Sequence, residues 1–235
     1  MIFPLQNIIG RTVMKLLPIF PWARVYQNET HVEAIQRILS ERSELNRGFI
    51  AIEIGTGVST MAFARSLRGV DSAKLYSIDI SQEVVDRTEA ETKPIFSNIE
   101  FRVGDSLESL DHLYSELTHV DFVLLDSAPS AMRTFEEFKI LESKFRVGSC
   151  ILIDNASSPE CLAQLSECRK GKILVPYLLA SPVWEVFFYP RSGDSMVFAQ
   201  MSDHMNHADK NYEYEVDAQT WSDSLRRRFS SFSNK

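Results

Sequence analysis

FIAIEIGTGVST, residues 49–60, decides the fold. An apolar strand runs as far as Glu53 and Ile54. Gly55 and Gly57 then make a tight turn, and Val58, Ser59 and Thr60 open a helix. Glycine suits such a turn because it has no Cβ, so the backbone can reverse sharply and approach a ligand closely. A second strand, LYSID, follows that helix and ends on Asp79. An acid at this point is placed to accept hydrogen bonds from a ribose diol.

A glycine turn followed by one acid is common to many nucleotide-binding sheets, and Glu53 narrows the choice. A carboxylate beside the turn would repel a pyrophosphate. It suits a ligand that carries an ammonium and a sulfonium and no phosphate, and S-adenosylmethionine is such a ligand.

Outward from this stretch the chain alternates strand and helix. Strands are expected at 49–54, 74–79, 99–103, 120–126 and 149–154, with helices at about 58–68, 82–92, 106–117, 131–145 and 159–170. Ser81, Ser130 and Ser158 stand at N-cap positions, Pro159 suits a first helical turn, and Gly148 stands where the fourth helix should stop. The inner strands AIEI, FVLL and CILI are apolar throughout, as expected for a parallel sheet covered on both faces. The last two strands, 183–190 and 195–201, are joined only by RSGDS. A parallel crossover needs a dozen or more residues, so they form an antiparallel hairpin. Ahead of the core, 30–44 reads as a helix capped by Thr30, with Glu33 three residues on.

The 235 residues suffice for one α/β domain with a full core. We divide them into an N-terminal helical or lid segment (1–45), a core domain (46–201) and a polar tail (202–235). Hydrophobic residues make up 44% and charged residues 24%, a globular balance. The formal net charge of −7 argues against a long phosphate-tracking surface, and no nucleic-acid partner is expected. Three cysteines without CxxC spacing suit a reduced, cytoplasmic protein. No run of 18 apolar residues predicts a transmembrane helix. Leu5, Ile8, Ile9, Val13, Leu16 and Leu17 fall on one helical face. That face is read as packing on the domain or on a second subunit, a homodimer being one option, with contact at a membrane surface as the alternative.

The ordered set EIGTG, SIDIS, VGDS, LLDS and LIDN resembles the class I S-adenosylmethionine-dependent methyltransferases over roughly residues 30–201. The resemblance implies a doubly wound, Rossmann-like α/β sheet of seven strands: five parallel strand–helix units closed by the hairpin. It also implies that Glu53, Gly55, Thr56, Gly57, Ser59 and Thr60 form the turn around the methionine end of the cofactor. Asp79 and Ile80 then meet the ribose and its surroundings, Gly104, Asp105 and Ser106 line the adenine, and Asp126 lies beside the transferred methyl as cofactor-binding and candidate catalytic residue.

Within the class the chain is most similar to small-molecule O-methyltransferases. That likeness implies a divalent metal, magnesium, held by Asp126, Asp154 and Asn155, whose oxygens are hard ligands. The alternatives are an Asp154-Asn155 turn pair and an Asp126 that holds the cofactor's ammonium or caps a helix. The lysine or histidine that usually follows the strand-four acid is missing. Arg133 is the first basic residue there, and arginine cannot act as a base.

The expected activity is methyl transfer to a small hydroxylated acceptor. The pocket is expected between the 175–184 link, taken as a loop containing Tyr177 and Trp184, and the LLPIFPW segment (16–22). Hydrophobic packing on the sheet is the alternative for both. A macromolecular acceptor or a catalytically silent cofactor-binding protein are the other readings. No NPPY or DPPY follows strand four and no Pro-Cys pair occurs, which argues against methylation of DNA bases. Glu53, and Thr60 where a third glycine would stand, argue against a nicotinamide-dependent oxidoreductase.

Overall fold

A computed structural model describes residues 23–25 (backbone only), 30–42, 48–156, 170–189 and 196–202. Within them, strands β1 (Ala23–Val25), β2 (Ile50–Ile54), β3 (Lys74–Asp79), β4 (Ile99–Val103), β5 (Val120–Leu125), β6 (Phe145–Ile153), β7 (Trp184–Tyr189) and β8 (Met196–Met201) form one sheet. The described helices are α1 (His31–Ser40), α2 (Val58–Ser66), α3 (Gln82–Thr92), α4 (Ser106–Tyr114), α5 (Ala131–Leu141) and α6 (Gly171–Ala180). The sheet order is β1-β7-β8-β6-β5-β2-β3-β4. Strands β2 to β6 run parallel, and β8 lies antiparallel between β6 and β7. All seven expected strands are present. The short β1, which the sequence did not suggest, pairs parallel to β7 at the edge.

Alternation along the strands builds two cores. Ile52, Ile54, Ile78, Val123 and Leu125 face Leu110 and Leu113 of α4, Phe138 and Leu141 of α5 and Leu174 and Leu178 of α6. Ala51, Leu75, Phe122 and Leu124 face Ile35 and Leu39 of α1, Phe63 of α2 and Leu67 just after it. Local signals set the helix starts. The Thr30 hydroxyl accepts from the Glu33 amide at 3.2 Å while the Glu33 carboxylate accepts from the Thr30 amide at 2.8 Å, a complete capping box. Ser81 and Ser130 likewise cap α3 and α5.

Some expectations are corrected. Residues 175–180 are not part of a loop but the end of helix α6, with Pro176 inside it and Leu174, Val175, Leu178 and Leu179 buried. Trp184 is 3% exposed and stacks edge-on against Phe138 and Phe145. It is a core residue rather than the wall of an open pocket, so the packing alternative holds for this segment. Gly148 does not end a helix. It lies in β6 at φ +90°, within an irregularity between the pairings Val120–Phe145 and Phe122–Cys150. Ser149 closes this bulge, accepting from the Arg146 amide at 2.9 Å and donating to the Val120 carbonyl at 2.6 Å.

The helix expected at 159–170 lies outside the described residues except for Lys170. The amphipathic N-terminal face, LLPIFPW and the polar tail also lie outside them, apart from Ser202. Among the described residues no helix is long and apolar enough to cross a membrane.

Candidate active site at the carboxyl ends of the strands

The chain winds from β2 through β3 to β4 in one direction, then returns to β5 and β6 on the other side of β2. The order therefore reverses between β2 and β5, and in such sheets the crevice beyond the strand ends at the reversal is where ligands bind. The backbone is knit tightly here. The Gly55 amide bonds to the Ile78 carbonyl at 2.9 Å, and the Asp126 amide to the Ile54 carbonyl at 2.9 Å. Gly55 has φ +100°, and a Cβ on it would stand 2.5 Å from the Asp126 carbonyl oxygen. Its glycine is therefore required by the neighbouring strand end. A Cβ on Gly57 would meet nothing, which leaves that position open to a ligand.

Glu53 lies inside, 0% exposed, rather than on the wall of the crevice. Its Oε2 accepts from the Thr60 hydroxyl at 2.6 Å and the Ser77 hydroxyl at 2.7 Å, and Oε1 is buried with no hydrogen-bond partner. Burial pushes its carboxyl up to about 7. The hydroxyls of Ser59, Thr60 and Ser77 oppose the rise, and the negative charge of Asp126 adds to it. Thr60 also accepts from the Gly57 amide at 2.9 Å, so the buried acid holds the glycine turn through one intervening hydroxyl.

Asp79 ends β3 with both oxygens fixed. The Thr56 amide donates to Oδ2 at 2.9 Å and the Ser81 amide to Oδ1 at 2.8 Å. A carboxylate offers about four acceptor sites, so roughly two remain for a diol. Beside it Ile80 is 79% exposed, and Val103 at the end of β4 is also exposed. Two bare apolar side chains next to a fixed carboxylate suit a flat ring attached to a ribose.

Asp105 caps α4 by accepting from the Leu107 amide at 2.9 Å, and it pairs with Arg133. The Arg133 guanidinium holds its carboxyl below the usual range. Ser106 is buried, donating to Glu137 at 2.6 Å and accepting from Arg133 at 3.1 Å. Its hydroxyl is thus engaged beneath the crevice. Glu137 was not singled out from the sequence. It is fully buried, its carboxyl raised by burial, and it also accepts from the Ser127 hydroxyl at 3.0 Å, linking the Asp105–Ser106 segment to the one after Asp126.

Asp126 and Asp154 follow the adjacent strands β5 and β6, and the Asp154 amide bonds to the Leu125 carbonyl at 3.2 Å. Sequence reading missed Lys170, whose ammonium pairs with Asp126 Oδ1. His31 Nδ1 stands 3.8 Å from Asp154 Oδ1. Asn155, at φ +50°, donates from its amide nitrogen to Asp154 Oδ2 at 2.8 Å. Burial raises the Asp154 carboxyl, and the charge of Asp126 raises it further, against the pull of His31 and Lys170. Forty-four residues separate Asp126 from Lys170, and no local pattern marks that lysine.

Residues 52–156, which carry Glu53, Asp79, Asp105, Asp126 and Asp154 but neither His31 nor Lys170, match a family described as a methyltransferase domain. Over those residues the chain is similar to methyltransferases. Solved structures share its fold. An O-methyltransferase from Bacillus cereus, in complex with SAH (S-adenosylhomocysteine), is 17% identical at a TM-score of 0.55, covering 82% of this chain and 97% of that one. The O-methyltransferase TomG from Streptomyces achromogenes, described as involved in tomaymycin synthesis and bound to SAM, is 16% identical at a TM-score of 0.57. That likeness covers 85% of this chain and all of TomG. No curated protein matches the chain by sequence.

Proposed function

We propose that this protein is a methyltransferase that moves a methyl group from S-adenosylmethionine to a hydroxyl of a small acceptor. The observation that carries the reading is Asp79, fixed by the Thr56 and Ser81 amides beside the bare Ile80. That arrangement is built for a ribose diol and its base without any phosphate.

S-adenosylmethionine supplies a methyl on a sulfonium, which is already a good leaving group. The protein's share is therefore to align the two reactants and take up the hydroxyl proton. In this reading Gly57 leaves room for the methionine end, Asp79 orients the ribose, and Asp126 sits at the end where the acceptor enters. Among the described residues the imidazole facing that end is His31, beside Asp154. A small acceptor fits the net charge of −7 and the acids at the strand ends better than a nucleic acid does. Contact of the N-terminal segment with a membrane, a homodimer and a cytoplasmic location remain expectations of the sequence.

The magnesium implied by the resemblance does not fit these residues. Asp126 is paired with the buried Lys170, and Asn155 offers Asp154 a donor where a metal would need an oxygen.

Calorimetry with S-adenosylhomocysteine tests the reading. Asp79→Ala should weaken binding about tenfold or more, the scale of a lost hydrogen bond to a charged group, ~1.5 kcal/mol. Unchanged affinity in a folded variant, or tighter binding of NADH, would refute it. A radiolabelled methyl donor offered with hydroxylated small molecules and with RNA should label only the former.

A further inference from the structure

The side chains around Asp126 and Asp154 form a closed arrangement of charge. Lys170 is 4% exposed, so its ammonium is a buried cation whose described partner is Asp126. A buried lysine is retained only where a carboxylate compensates it, and displacing it would leave an unpaired buried charge. Its position is fixed by the next residue. A Cβ on Gly171 would stand 3.0 Å from the backbone of Ala156 and 2.8 Å from Val175 Cγ2, so the start of α6 lies against the chain leaving β6. Lys170 is thereby anchored at the ends of β5 and β6. The second acid is engaged as well, Asp154 Oδ2 by the Asn155 amide at 2.8 Å and Oδ1 facing His31. A divalent ion bound between the two acids would share Asp126 with an ammonium and meet amide hydrogens at Asn155.

We propose that Lys170 is a built-in cation at the reacting end of the crevice, standing where the related O-methyltransferases are expected to place a divalent ion, so that the chain works without a metal. The inference rests on the methyltransferase reading. Lys170 acts as a positioning residue. Its ammonium, buried and paired with Asp126, holds that acid in place with no exchangeable ion to lose.

The test is manganese binding followed by electron paramagnetic resonance on the full chain with S-adenosylhomocysteine, whose own binding is followed by calorimetry. Wild-type protein should hold no manganese that Asp126→Asn or Asp154→Asn removes, and its S-adenosylhomocysteine affinity should be the same in chelator and in millimolar magnesium. Lys170→Met, similar in length but neutral, should gain manganese affinity by at least ~tenfold, because the repelling charge is gone and two carboxylates face each other. Manganese bound to wild type and lost in both acid variants would overturn the inference while leaving the methyltransferase reading intact. So would a Lys170→Met protein that binds S-adenosylhomocysteine but no more manganese than wild type. If that variant fails to fold, the wild-type arm decides alone. Failure of wild type to bind S-adenosylhomocysteine would remove the methyltransferase reading and this inference together.

Discussion

Replacing Glu53 by glutamine should flatten the dependence of this protein's stability on pH. Glu53 is wholly buried between β2 and α2, and burial moves its carboxyl from an ordinary 4.5 to about 7. Between those values the folded state holds a proton that the unfolded chain has lost. The group's contribution is thus fully present below about 4.5 and declines as pH rises through about 7. At about 1.4 kcal/mol per pH unit, the decline amounts to about 3 kcal/mol. Glutamine keeps the shape, and its carbonyl can still accept from Thr60 and Ser77. Its amide would sit where Oε1 has no partner, a penalty of ~1–3 kcal/mol that does not vary with pH. Glu137 and Asp154, also raised, remain in both proteins and cancel. Urea unfolding at about pH 5 and about pH 8 measures the effect: the difference between variant and wild type should move in favour of glutamine by about 2.5 kcal/mol, the part of the change that falls between those two pH values. Parallel pH profiles would show that Glu53 is ionised throughout or reached by water, and the argument from burial would fail.

Gly55→Ala should destabilise the fold by ~2–4 kcal/mol, because it forces a side chain onto φ +100° and against the Asp126 carbonyl. Urea unfolding measures the loss, and a smaller effect would mean that β5 yields. Trp184→Ala should cost ~3–5 kcal/mol in the same assay, while S-adenosylhomocysteine affinity of the folded protein stays unchanged, because the indole lies among Phe138 and Phe145 in the core. Intact stability with weakened acceptor binding would instead restore Trp184 to a pocket.

The strands were legible because their signals are local. AIEI, FVLL and CILI are apolar runs of strand length, and the five-residue link before the last strand admits only a hairpin. Thr30 with Glu33 announced α1 for the same reason. Helix α6 was hidden by Pro176, which normally breaks a helix, although the buried Leu174, Val175, Leu178 and Leu179 share one face. Gly148 misled in the opposite direction: a glycine at positive φ ends many helices, but this one serves a bulge whose need arises only from pairing with β5. Asp79 and the glycine turn could be found from spacing because one βαβ unit carries both. Lys170 and Glu137 could not, since each earns its place through partners distant in sequence: Asp126 for one, Ser106 and Ser127 for the other.

Under the proposed function, the acids at the strand ends set how the crevice would meet a cationic donor. Glu53, Asp79, Asp105, Asp126 and Asp154 lie at or beside the ends of β2, β3, β4, β5 and β6 in turn, and each is compensated differently. Burial inclines Glu53 toward its protonated form. Arg133 neutralises Asp105 and Lys170 neutralises Asp126. Asp154 is met by the Asn155 amide and by His31. Asp79 is held by backbone amides, which orient its charge without cancelling it. A net negative charge therefore remains at Asp79, where a pyrophosphate would be repelled and a diol accepted. Ionisation of Glu53 adds a second negative charge under the turn when the donor's cationic end is bound. The affinity for S-adenosylmethionine relative to S-adenosylhomocysteine, which lacks the sulfonium charge, should then rise as pH passes through about 7. In Glu53→Gln the ratio should stay flat. A ratio independent of pH in wild type would mean that Glu53 holds the turn by hydrogen bonding alone and lends no charge to the donor.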